Sequence, residues 1–79
     1  MSAVPTYHAA NGTACFQFHS TLLNNARIRE MVLRSAERRS GDNNMTLEHG
    51  GCGSQYTHQQ FSQSGSHDGQ AWTISVWTV

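Results

Sequence analysis

The sequence has little of what marks an enzyme, a membrane protein or a nucleic-acid-binding protein. It contains no lysine and a single proline, and only 13% of its 79 residues are charged. No apolar run approaches the ~20 residues that a membrane-spanning helix requires. The five acidic residues are scattered, and no catalytic motif stands out. We therefore predict a protein that is not an enzyme and needs no cofactor.

The core that such a chain can build is small. A domain of this length buries only roughly 60% of the surface that its unfolded chain exposes, and 37% of its residues are hydrophobic. Domains with so marginal a core usually need a covalent, metal or partner contribution. Cys15 and Cys52 belong to no CxxC pair. We predict that they form one disulfide, which favours a secreted protein.

The cysteines have two alternative uses, in a metal site or as a nucleophile. His49 and Cys52 form one His-x-x-Cys pair, but structural zinc sites use two such pairs, so we predict no metal site. A cysteine nucleophile would need Cys52 as a free thiolate beside a histidine. Labelling of the thiols in the native protein distinguishes this enzyme hypothesis from the disulfide.

The hydrophobic patterns predict a single α+β domain over residues 1–79, with an N-terminal arm at 1–12 and a β-α-β-β core at 13–79. Ser20 is the predicted N-cap of the helix, and Gly41 is its predicted stop. We expect a small α/β sandwich: an antiparallel sheet with a split β-α-β crossover and one main helix packed on one sheet face. The predicted elements are a strand at 13–19, a helix at 21–40, a short strand at 45–49, a β-leaning stretch at 54–62, a hairpin loop at 63–70 and a strand at 71–79.

One helix covers one face of a sheet, which leaves the other face uncovered. In the last strand Trp72 and Ile74 alternate with Trp77 and Val79, so tryptophan lies on both faces. Because tryptophan is enriched at interfaces, we predict that Trp77, Val79 and Gln17 contact a partner chain. The alternative is that the N-terminal arm folds over Trp77.

The charge pattern changes with pH. All five basic residues are arginines within residues 27–39, interleaved with glutamates, and the formal net charge is zero, so we predict no nucleic-acid partner. Five histidines make the chain cationic in acid. We interpret His19, His49 and His58 as a pH switch, the alternative being ordinary solvated histidines.

Two sequons are also consistent with secretion. They begin at Asn11 and Asn44, which are candidate glycosylation sites.

The order of elements resembles the small subunits of secreted yeast and fungal killer toxins, especially the β subunit of the salt-mediated kind. The resemblance covers residues 13–79 and is carried by the strand at 13–19, the helix around 28–39, Cys15 with Cys52, and the strand at 71–79. It implies two chains in one α/β sandwich with split β-α-β crossovers. It also implies damage to sensitive cells at the membrane, favoured in acid.

The resulting hypothesis is a secreted antifungal toxin subunit that acts with a second, more hydrophobic chain. Contact with the target-cell membrane or wall would occur through that partner. The alternative is a secreted protein-binding module, such as an effector or an enzyme inhibitor.

Overall fold

A computed structural model describes residues 5–20, 25–41, 45–49 and 51–79, which contain five strands and one helix in the order ββαβββ. The strands form one antiparallel sheet with the order β3-β1-β2-β5-β4. The elements are β1 (Pro5–Ala9), β2 (Ala14–Ser20), α1 (Ala26–Ser40), β3 (Met45–His49), β4 (His58–His67) and β5 (Gln70–Thr78).

The predicted fold class is confirmed: one helix packs against an antiparallel sheet in a small α+β fold. β2 and β3 both pair antiparallel with β1, so they run parallel to each other with β1 between them. The helix connects these two parallel strands, which is the predicted split β-α-β crossover.

The interpretation of residues 1–12 as an arm is wrong for the part of that segment that the structure describes, whereas the core from residue 13 onward has the predicted order of strand, helix and strands, with its last β region split into β4 and β5. Pro5–Ala9 is β1, an inner strand between β2 and β3. Pro5 occupies its first position, where proline is tolerated because the missing N–H falls at the strand end. Residues 1–4 lie outside the described residues.

The helix ends as predicted but has a different cap. The Asn25 side chain accepts a hydrogen bond from the Ile28 amide at 3.2 Å, so Asn25, and not Ser20, is the N-cap. Residues 21–24 of the predicted helix lie outside the described residues. Gly41 adopts φ 80° and its amide donates to the Glu37 carbonyl at 2.9 Å, which ends the helix.

The hydrophobic core lies between the helix and one sheet face. Phe16 and Phe18 of β2 lie opposite Val76 and Ile74 of β5, and all four are essentially buried. The helix packs onto them with its apolar stripe, Ile28, Val32, Leu33 and Ala36. Both outer strands flank this centre, with Met45 and Phe61 partly buried against it.

The predicted hairpin loop at 63–70 is mostly strand. β4 continues to His67, and the turn consists of Asp68 and Gly69, which have φ values of 50° and 77°. Positive φ at both central positions matches the right-handed twist of the flanking strands. Gly65 lies opposite Trp72, and a Cβ at position 65 would collide with the indole ring. The absence of a side chain at Gly65 therefore leaves space for the Trp72 ring.

Candidate binding surface

The sheet face opposite the helix, called the open face below, is the candidate binding surface. Strand register brings its members together, since Cys15 pairs with Trp77, Gln17 with Ser75 and His19 with Thr73. The described side chains that alternate onto the open face include Thr46 of β3, Thr6 and His8 of β1, Cys15, Gln17 and His19 of β2, Ala71, Thr73, Ser75 and Trp77 of β5, and Ser62, Ser64 and Ser66 of β4.

A disulfide holds a loop over one end of the open face. Cys15 and Cys52 are bonded, with 6.0 Å between their Cα atoms, which confirms the predicted pairing. Cys15 is fully buried beneath the connection. The loop residues before β4 are therefore anchored on the sheet, and the open face is only partly uncovered.

Tyr56 provides the second anchor of this loop. Its ring is buried and lies 5.6 Å from the His8 ring, centroid to centroid. Its hydroxyl donates to the Gly12 carbonyl at 2.8 Å, across 44 positions of sequence. Because the disulfide and this hydrogen bond act on the same short segment, they fix its position relative to the β1–β2 turn.

The rest of the open face is polar. Gln17 and Ser75 are half-buried, while His19, Ser62 and Ser64 are exposed. The Ser64 and Thr73 hydroxyls share a hydrogen bond at 3.1 Å. No lysine, arginine, aspartate or glutamate lies among the described open-face side chains of β2, β4 and β5. Such a surface can remain in water, and it offers hydroxyls and amides to a polar partner.

The three residues predicted to contact a partner lie in different surroundings. Gln17 and Trp77 share the open face, and Val79 follows the end of β5 with 70% of its surface exposed. Trp77 is half-buried, and its indole N–H is buried without a hydrogen-bond acceptor among the described residues. Tyr7 lies opposite Phe16, on the side of the sheet that faces the helix. β1 therefore does not fold over Trp77, which is what the alternative for the N-terminal arm expected.

The two histidines of the predicted pH switch whose side chains the structure describes, His19 and His58, do not cluster. His19 is exposed opposite Thr73, whereas His58 is exposed at the start of β4 opposite Thr78. His49 ends β3, and its side chain lies outside the described residues.

The charges of the helix are partly neutralised within the helix. Arg34 contacts Glu37 at 3.2 Å and Glu30 at 2.9 Å. The hydrogen bonds that the Arg34 guanidinium donates to Glu37 and Glu30 raise its pKa. The basic segment thus presents fewer free cations than its sequence suggests.

Other predicted sites can be placed only in part. Asn11 is exposed in the β1–β2 turn, where its Oδ1 accepts from the Thr13 hydroxyl at 2.7 Å, and Asn44 lies outside the described residues. Within residues 5–20, 25–41, 45–49 and 51–79, no three His, Cys, Asp or Glu side chains cluster in a way that could hold a metal ion. The helix, over its described length, is too short and too polar to cross a bilayer.

Sequence reasoning missed the contribution of β1 and the loop anchor to this surface. Thr6 is fully buried and His8 packs on Tyr56, yet both lie in the segment interpreted as an arm. The alternation of Tyr7 and Ala9 with Thr6 and His8 was the available signal, although it spans only five residues.

No family model matches the chain, and no curated protein and no solved structure is significantly similar to it. The fold and surface define a small, disulfide-closed α+β protein with a polar, partly covered sheet face. The resemblance to killer toxins rests on the sequence features given above.

Proposed function

We propose that this chain is the hydrophilic subunit of a secreted antifungal toxin that binds a second, more hydrophobic chain through the open face. The observation that carries the proposal is the polar, partly exposed part of that face, which contains the half-buried Gln17 and Ser75 and the exposed His19. A second chain seated there would cover polar groups that the helix cannot reach.

The chemistry of the open face specifies the kind of contact. Hydroxyl and amide side chains form hydrogen bonds and hold interfacial water, which is typical of interfaces between chains that are each stable alone. The hydrophobic surface of the proposed second chain would therefore be directed toward the target membrane. Its contact with this subunit would be polar.

Secretion is supported by the disulfide, because such bonds persist in oxidising compartments. Acid-favoured action is supported by five histidines in a chain with a formal net charge of zero. His19 and His58 are two of these histidines, and both side chains are exposed. A cationic protein is attracted to anionic cell surfaces, and salt screens that attraction.

The proposal is tested by capturing the tagged chain from the medium of cells that secrete it. We expect a second, more hydrophobic chain to be recovered with it, and we expect the complex to kill sensitive yeast better in acid than at neutral pH. Gln17→Lys should reduce recovery of the second chain, because it places a charge in the interface. Met31→Lys is the matched control, since it adds the same charge at an exposed helix position.

Recovery of a monomer that kills fully on its own would contradict the two-chain proposal. Equal killing at acid and neutral pH would contradict the charge switch.

The polarity of the open face also suits a secreted protein-binding module, such as an effector or an enzyme inhibitor. A tight complex with a defined target protein, without toxicity to yeast, would favour that second function.

A further inference from the structure

β4 is an edge strand whose C-terminal part lacks the usual protection against pairing. It extends over ten residues, His58–His67, and no described strand lies beyond it. Between its two terminal histidines it contains no charged residue, and it contains no proline. Edge strands expose unpaired backbone N–H and C=O groups, and most proteins protect them with lysine, proline or a very short strand.

One irregularity limits where a new strand can pair. The β4–β5 register shifts between Gln59 and Phe61, which marks a bulge near the start of β4. From Phe61 to His67 the pairing with β5 is regular. The regular segment has seven residues, 61 to 67, and Ser64 is its central residue.

The helix holds this segment in place from one side without closing its edge. The Gln63 amide donates to the Ser35 hydroxyl at 3.0 Å. The Arg39 guanidinium lies 4.3 Å from the centre of the Phe61 ring. Ser62, Ser64 and Ser66, on the other side of β4, are exposed. The edge is therefore preorganised, and pairing would cost little additional ordering.

We propose that β4 pairs antiparallel with β4 of a second copy of this chain, about a two-fold axis that passes beside Ser64. The two sheets then join into one, with both helices on the same side. In this register Ser64 lies opposite Ser64 of the other copy, Ser62 opposite Ser66, Gln63 opposite Gly65, and Phe61 opposite His67.

Self-pairing is favoured by the chemistry of the segment. Opposed serines are small and can exchange hydrogen bonds. Two copies with a formal net charge of zero do not repel each other as whole molecules. The other edge strand, β3, has only five residues and includes Glu48, so β4-to-β3 pairing offers a shorter contact. That head-to-tail contact would also not close into a dimer.

The test uses the purified, oxidised chain alone, so its result does not depend on the proposed second toxin chain. Sedimentation velocity over a wide concentration range should show a monomer–dimer equilibrium. Ser64→Lys places two like charges directly opposite each other and should weaken dimerisation by about fivefold or more. Thr46→Lys, an exposed position on the other edge strand, adds the same charge and should leave the equilibrium unchanged.

Hydrogen exchange of the unmodified chain provides a measurement that needs no variant. Amides in 61–67 should exchange more slowly at concentrations where the dimer forms, while β3 amides should not change. A chain that stays monomeric throughout, or equal weakening by both lysine variants, would overturn the proposal. Open-ended polymers would also overturn it, because a two-fold contact closes.

Discussion

Removal of the Cys15–Cys52 disulfide is the perturbation with the largest expected effect on stability. The bond joins residues 37 positions apart, and loop-closure entropy for that span corresponds to about 4 kcal/mol at 25 °C. A domain of this size has a total unfolding free energy of only about 4–12 kcal/mol. The reduced protein should therefore be partly or wholly unfolded at room temperature if its native stability lies near the lower end.

The assay is urea denaturation followed by tryptophan fluorescence and circular dichroism. Two samples are compared with the oxidised protein: the same chain after reduction, and the Cys15→Ala/Cys52→Ala variant. Reduction keeps both side-chain volumes, whereas the double variant also removes a fully buried sulfur. The decrease in unfolding free energy that both samples share measures the constraint that the disulfide places on the unfolded chain. The difference between the two samples measures the packing contribution of the buried sulfur.

The location of the disulfide also predicts a local effect of reduction. Cys52 anchors the loop that also contains Tyr56, so reduction should increase hydrogen exchange in residues 51–57 before it affects β2 and β5. Denaturation midpoints that agree for the oxidised, reduced and double-alanine proteins would refute the reasoning. They would mean that the sheet and helix alone hold the fold.

Two smaller perturbations test the packing on each side of the sheet. Gly65→Ala should destabilise the protein by about 1–3 kcal/mol, because the added methyl group collides with the Trp72 ring; Gly51→Ala, with open space around it, should change the denaturation midpoint little. Tyr56→Phe should cost about 1 kcal/mol in the same denaturation assay, since it removes the hydrogen bond to the Gly12 carbonyl. Equal midpoints for the two glycine variants, or an unchanged midpoint for Tyr56→Phe, would show that these contacts contribute nothing to stability.

The sequence-based predictions were accurate for features set by neighbouring residues. They were less accurate for features set by contacts between distant segments of the chain. Gly41 was recognised as the helix stop because left-handed backbone is a property of one residue and its neighbours. The cap was misplaced because Ser20 and Asn25 are both good caps, and only the end of β2 at Ser20 distinguishes them. β4 was partly missed because serine, glycine and glutamine have weak strand propensity, and its pairing with β5 decides its conformation.

The open face was predicted only in outline for the same reason. Alternation in the last strand correctly separated Trp72 from Trp77. The position of the loop over this face depends on the contacts of Cys52 and Tyr56 with distant residues, which no local pattern encodes.

The sequence by itself determined the fold class, the disulfide and the helix C-terminus, because hydrophobic period, cysteine number and a single glycine conformation are local or compositional properties. Only the tertiary structure decided that Pro5–Ala9 is an inner strand and that a loop covers one end of the open face. It also placed β4 at an edge of the described sheet. Each of these depends on pairing between segments far apart in the chain. The free energy of such pairing comes from neighbours that the segment's own sequence does not specify.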